Sequence, residues 1–149
     1  MNAYYRLTER LKEIALGDFD CNSVSKGDIT KLNFDKAVIF PVAHFDVFEV
    51  AIASNGNFRF SVRLYAMNQR VDKQDPGNDD FIGNDNEDDN LNAMLYLATR
   101  IVKVLENDDD FSLFSSSNLT VFTEKYHHLV DGWSTVLQID VPIGDYTAC

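Results

Sequence analysis

"NFRFSVRLYAM", residues 57–67, alternates without a break. Phe58, Phe60, Val62, Leu64 and Ala66 point one way; Arg59, Ser61, Arg63, Tyr65 and Met67 point the other. That is the period of a strand with one face on a core. Just before it stands Asn55-Gly56, a dipeptide whose positive φ suits a two-residue hairpin turn. Pairing back across the turn brings in "FEVAIA", residues 48–53, with Phe48, Val50 and Ile52 on one face. Phe45 and Val47 are out of phase with that set by one residue, so a bulge or a break is expected near Val47 and Phe48.

Upstream, Tyr4, Leu7, Leu11 and Ile14 recur at helical spacing. With Asn2 as cap and Gly17 as stop they place a helix over residues 3–16. A short strand is expected around Ser23 to Ser25, and a buried one over "AVIF", residues 37–40, closed by Pro41. Downstream, "DDNLNAMLYLATRIVKVLEND" reads as a second helix capped by Asp88 or Asp89. Its apolar stripe is Leu91, Met94, Leu95, Ala98, Ile101, Val102 and Leu105. Asp108, Asp109 and Asp110 oppose the dipole of a helix C-terminus, so the helix should stop before them. "FSLFSSSN" then forms an exit loop whose Phe111, Leu113 and Phe114 tuck back onto the core. The last third is a second hairpin, "LTVFTEKY" leading into "WSTVLQIDV", with Asp131-Gly132 at the turn and Pro142 ending the strand. Trp133, Thr135, Leu137, Ile139 and Val141 share its apolar face. Hairpins joined by helices predict an α+β fold: an antiparallel β-sheet built from hairpins, with two α-helices packed on one face. No repeat or Gly/Ser linker divides the chain, so residues 1–149 form a single domain.

The formal charge of −11 is concentrated in two places. Residues 68–90 carry eight carboxylates against Arg70 and Lys73, a net of −6, and Glu106 with Asp108, Asp109 and Asp110 adds −4. The rest of the chain is close to neutral. Clustered Lys and Arg, which a phosphate grip or a polybasic membrane contact needs, are absent, so neither sequence-specific nucleic-acid binding nor membrane binding is expected. No window approaches the roughly 20 apolar residues of a spanning helix, and "MNAYYRLTERLKEIALG" lacks the apolar run of a secretory signal. A soluble, intracellularly made protein with two free thiols, Cys21 and Cys149, is the expectation.

Catalytic and metal signatures fail one by one. His127 and His128 are adjacent, so in a strand they point to opposite faces and do not share a metal. No signature surrounds Cys21, and GxSxG, Walker, GxGxxG and HExxH patterns are missing. The acidic segment misses the calcium-loop register: counted from Asp79, the third position is Phe81 and the sixth is Asn84. No enzyme activity, cofactor or built metal site is expected; loose divalent-ion binding by the acidic carboxylates stays open as an alternative. Within "VDKQDPGNDDFIGNDNEDDN", residues 71–90, an exposed acidic loop is the expectation for residues 68–90. Its apolar pair, Phe81 and Ile82, has the character of an anchor for a partner groove. Asp72, Asp75, Asp79, Asp80, Asp85, Glu87, Asp88 and Asp89 supply the carboxylates. The Arg59, Arg63 and Tyr65 face is the complementary contact surface by charge.

The "YYRLTERLKEI" helix, the "GDITKLNFDKAVIFPVAHF" stretch, the "FSVRLYAMN" strand and the closing "LVDGWSTVLQIDVPIGDYTAC" together resemble small virion proteins of tailed bacteriophages, of the tail-terminator or tail-completion type. The resemblance implies a small α+β subunit that forms a ring, commonly a hexamer, at the head-proximal end of the tail. Such a ring stops tube polymerisation and meets the head connector. It implies a homo-oligomer, with the tail tube protein and head–tail connector or portal-side proteins as partners. It also implies a place in the virion at the head–tail junction after synthesis in the bacterial host cytoplasm. For the carboxylates of residues 68–90, a ring implies a place facing its lumen or a neighbouring subunit. The family supplies no catalytic residues, and residues 68–90 stand outside the likeness. The alternative from a different class is an acidic inhibitor that mimics DNA. That role asks for carboxylates held rigidly at phosphate spacing, whereas here they sit among Asn, Gly and Pro.

Overall fold

Asn2 accepts the Tyr5 amide at 3.1 Å, satisfying one of the orphan donors of a helix start, and α1 follows over Ala3–Leu16. Its buried positions, Ala3, Leu7, Leu11, Ile14 and Ala15, fall on one stripe. Full burial of each leucine contributes about 2 kcal/mol. The computed structural model describes residues 2–32, 39–53, 56–69, 87–123 and 130–144. After α1 come β1 (Ser23–Lys26), one 3-10 turn (Ile29–Lys31), β2 (Val42–Ile52), β3 (Asn57–Gln69), α2 (Glu87–Glu106), β4 (Ser112–Ser116), β5 (Thr120–Phe122) and β6 (Val130–Pro142). The strands lie in the order β1-β2-β3-β6-β4, with β5 also paired to β6.

The α+β architecture is as the hydrophobic pattern predicts, with one difference. β1 pairs with β2 in parallel, Ser23 opposite Val42 through Lys26 opposite Phe45, so the sheet is mixed rather than wholly antiparallel. The connection from residue 27 to residue 41 is too long for a hairpin and long enough for a crossover. Pro41, after a cis Phe40–Pro41 bond, precedes β2 rather than closing a strand before it. Of the expected "AVIF" strand, Ala37 and Val38 lie outside the described residues, and Ile39 and Phe40 are in no strand.

β2 and β3 pair antiparallel across a turn containing Gly56 at φ +79°, and their register slips between Val47 and Glu49. This is the bulge that the phase change predicts. It returns Val50 and Ile52 to the same face as Val47, opposite Phe60 and Phe58. β3 and β6 pair along their whole lengths, Asn57 opposite Pro142 to Gln69 opposite Val130. The predicted faces hold: Phe60, Val62, Leu64 and Ala66 with Leu137, Ile139 and Val141 meet both helices in the main core. On α2 the buried seam is Met94, Leu97, Ala98, Ile101 and Leu105, so Leu97 takes the place expected of Leu95.

Three local readings give way to longer-range packing. Residues 112–116 form a strand rather than an exit loop; Phe111 is buried, Leu113 half-buried and Phe114 exposed. Asp131-Gly132 is not a turn but lies inside β6, paired with Asn68 and Met67 of β3, and a Cβ at position 132 would stand 2.0 Å from the Ala66 carbonyl oxygen and 3.0 Å from the Phe122 ring. Glycine is there for close approach of three strands. The helix-distant face also carries its own core, in which Ile29, Val42, Tyr65, Met67, Phe122 and Val130 pack with Leu32 and Phe40.

His44 ties β1 to that second core. Fully buried, it donates from Nε2 to the Gly27 carbonyl at 2.6 Å, which leaves Nδ1 to accept the Ser25 hydroxyl at 2.7 Å. Burial pushes its pKa below the ordinary value of 6.5, against the opposing pull of the Gly27 carbonyl and the Asp46 and Asp28 carboxylates. The fold therefore selects neutral His44. Its contribution is complete above the unfolded value near 6.5 and is lost as pH falls through the lower folded value. The melting temperature should drop between pH 7 and pH 5 in the native chain and drop less in His44→Gln; equal slopes would remove His44 from the account. In urea titration, Gly132→Ala should cost on the order of 3 kcal/mol, and a midpoint equal to that of the native chain would contradict the close approach.

Candidate subunit-contact surface

The face of the sheet away from the helices is where the sequence places Arg59, Arg63 and Tyr65. The three do not form a free cationic patch. Tyr65 is 6% exposed in the second core, 6.1 Å from the Phe122 ring and 5.8 Å from His44, so it presents nothing to a neighbour. Arg59 holds Asp140, directly opposite on β6, through two parallel bonds, Nε–Oδ1 at 2.8 Å and Nη2–Oδ2 at 3.1 Å. Its guanidinium also lies 3.5 Å from the Phe114 ring centroid. A neighbour's carboxylate would have to displace a planar, bidentate intramolecular partner. Arg63 sits 4.8 Å from the Phe48 ring and opposite Asp46 on β2.

Phe48 and Phe114 share a construction. Each occupies a register slip, Phe48 between Val47 and Glu49 of β2 and Phe114 between Leu113 and Ser115 of β4. A bulge re-aims its extra side chain, and each extra phenyl here lies against an arginine of β3. The first bulge is visible in the sequence as a break in alternation. The second is not, because "FSLFSSS" is too short and too rich in serine to show a phase.

Of the predicted carboxylates, Asp72, Asp75, Asp79, Asp80 and Asp85 lie outside the described residues, as do Phe81 and Ile82. Glu87, Asp88 and Asp89 form the first turn of α2, which starts at Glu87 rather than after an Asp88 or Asp89 cap. There they complement the positive end of the helix dipole. Polar bonds fix that helix start. Asn90 donates to the Gln69 carbonyl at 3.2 Å and to Asp131 at 3.4 Å and accepts from Asn68 at 3.0 Å, while the Trp133 indole donates to the Leu91 carbonyl at 2.8 Å.

The two helices are bridged by charge. Arg10 bonds Asp108 at 2.7 Å, and Arg100 bonds Asp18 at 2.7 and 3.0 Å and Asp20 at 2.9 Å. Burial alone would raise the Asp108 and Asp18 carboxyls. The arginine hydrogen bonds, with backbone amides, outweigh it and hold both below the ordinary value. A groove of about 720 Å³ runs between the helices, and its arginines are already paired in these bridges.

Other candidate chemistry is structural. Cys21 is buried, its thiol 3.2 Å from the Ser23 carbonyl, and burial raises its pKa, which disfavours the thiolate a nucleophile needs. His127, His128 and Cys149 lie outside the described residues. Among the described residues no group of three His, Cys, Asp or Glu is placed to hold a metal ion, and no helix is long and apolar enough to cross a membrane.

What the surface does offer is an edge. β1 covers β2 only from Val42 to Phe45, and among the described residues no strand lies against the outer side of residues 46–52. Phe48, Val50 and Ile52, on that stretch, are 45%, 51% and 80% exposed. Comparison with family models and with curated proteins returns no match to this chain. In a double-mutant cycle, Arg59→Ala and Asp140→Ala should together lower the melting temperature by less than the sum of their separate effects; strict additivity would mean that the pair contributes no coupling.

Proposed function

We propose that this chain is a structural subunit of a bacteriophage tail. Copies form a ring at the head-proximal end, where the ring ends tail-tube polymerisation and joins the tail to the head connector while DNA passes through. The observation that carries the reading is the edge of β2, which no strand covers among the described residues, with three large apolar side chains exposed on seven consecutive residues. Such an edge is an aggregation liability in a protein that works alone and a resource in one that works assembled. The sequence resemblance to tail-terminator proteins supplies the identity of the assembly. The charge supports it too. A conduit must pass DNA without holding it, and carboxylates repel phosphates over about a Debye length, ~8 Å at physiological salt.

The tail tube protein and the connector are the partners in this reading, and the subunit acts without catalysis or cofactor. Native mass spectrometry of the purified chain, with negative-stain imaging, tests it: a closed ring is the expected result. Phe81→Ser with Ile82→Ser should leave the monomer's melting temperature unchanged and weaken the ring at least several-fold; unaltered assembly would remove the pair from the contact. A strict monomer that instead binds a DNA-binding protein tightly would replace the ring with the DNA-mimic reading.

A further inference from the structure

α1 has two flanks. Arg10, Glu13, Ile14 and Gly17 face α2 across the larger groove, while Thr8, Glu9 and Lys12 face the other way, toward β1 and β2. On that second side lies a smaller groove of about 270 Å³. Its floor is apolar, made of Leu11, Val24, Phe45 and Val47. Along β2, Val47 is continued on the same sheet face by Val50 and Ile52, which are exposed. The groove thus opens onto the uncovered edge. It lies just under the roughly 300–1,000 Å³ of small-molecule sites and suits one or two apolar side chains.

Its rim differs from that of the larger groove in one decisive way. There the arginines are neutralised by Asp108, Asp18 and Asp20. Here Lys12 and Lys26 are exposed and have no carboxylate partner among the described residues; Lys26 lies 5.5 Å from the Tyr4 ring centroid, and Glu9 is the one acid on the rim. In a chain of net charge −11, an apolar floor rimmed by lysines that no described carboxylate pairs calls for an apolar, acidic occupant. This chain encodes one in "DDFIGND", residues 79–85, where Phe81 and Ile82 stand between carboxylates.

We propose that the groove between α1 and the β1–β2 edge receives the acidic segment of a neighbouring copy, with Phe81 and Ile82 on the apolar floor and the flanking carboxylates against Lys12 and Lys26. The inference rests on the self-assembling reading above and gives it a donor and a receptor, a head-to-tail contact of the kind that closes into rings. A second copy is the occupant for a geometric reason. The segment leaves β3 at Gln69 and enters α2 at Glu87, whereas the groove lies on the flank of α1 turned away from α2. Neither β3 nor α2, the two elements that hold its ends, lines the groove.

The test is direct binding. A fluorescent peptide of residues 68–90 is titrated onto the full chain carrying Phe81→Ser and Ile82→Ser, so that the chain's own segment does not compete. Saturable binding is expected, weakened roughly tenfold by Lys12→Glu with Lys26→Glu in the chain, and by added salt. Binding should be lost when the peptide carries the two serines. Both lysines are exposed, so the charge-reversed chain should fold normally, which its melting curve verifies. No saturable binding, or binding indifferent to charge reversal, overturns the proposal. So does a monomer with the native segment that excludes the peptide at all dilutions, since its groove is then filled from within. Rings without peptide binding would overturn this contact and leave the proposed function standing. Peptide binding without rings would do the reverse.

Discussion

The ladder between β3 and β6 is the constraint on which the rest of the molecule depends. Both strands are thirteen residues long, and every residue of one has a partner on the other. β2 and β1 extend the sheet from β3, β4 and β5 extend it from β6, and both helices lie on the face the central pair presents. The two backbones approach closely enough at Ala66 and Gly132 that any side chain at position 132 meets a carbonyl oxygen. That contact sets the spacing at the end of the sheet where the second core sits.

A sheet with one helical layer normally leaves its other face to water. Here that face is divided. One end is closed by Tyr65, Met67 and the residues from four other segments that pack on them. The other end is a polar field ordered by Arg59 and Arg63, each lying against a phenyl ring that a bulge supplies. Ser61, between the arginines, is only 7% exposed. The bulges shape the strands and organise this surface.

How much could be read in advance follows from the range of the interactions. Alternation along 57–67 is a property of adjacent residues, so β3, its apolar face and the slip at Phe48 were legible. Tyr65 was not: by alternation it faces away from the main core, and only the arrival of Ile29, Phe122 and Val130 buries it. Asp131-Gly132 has the local chemistry of a turn, and what forbids one is a backbone brought in from β3. Arg59 looked available because Asp140 is its neighbour only across the sheet. Lys12 and Lys26 carry no signal in the sequence, since α1 and β1 must first fold together to set them on one rim.

The β3–β6 ladder also orders events in time. β3 is synthesised directly after β2, but the acidic segment, α2, β4 and β5 all precede β6. Until β6 emerges, the hairpin has the apolar residues Phe60, Val62 and Leu64 and an unpaired inner edge, the kind of late, long-range closure that makes folding slow and intermediates adhesive. The next part of the chain to leave the ribosome is its most negatively charged stretch. Eight carboxylates in that stretch give each unfinished chain a like charge, and like charges oppose association.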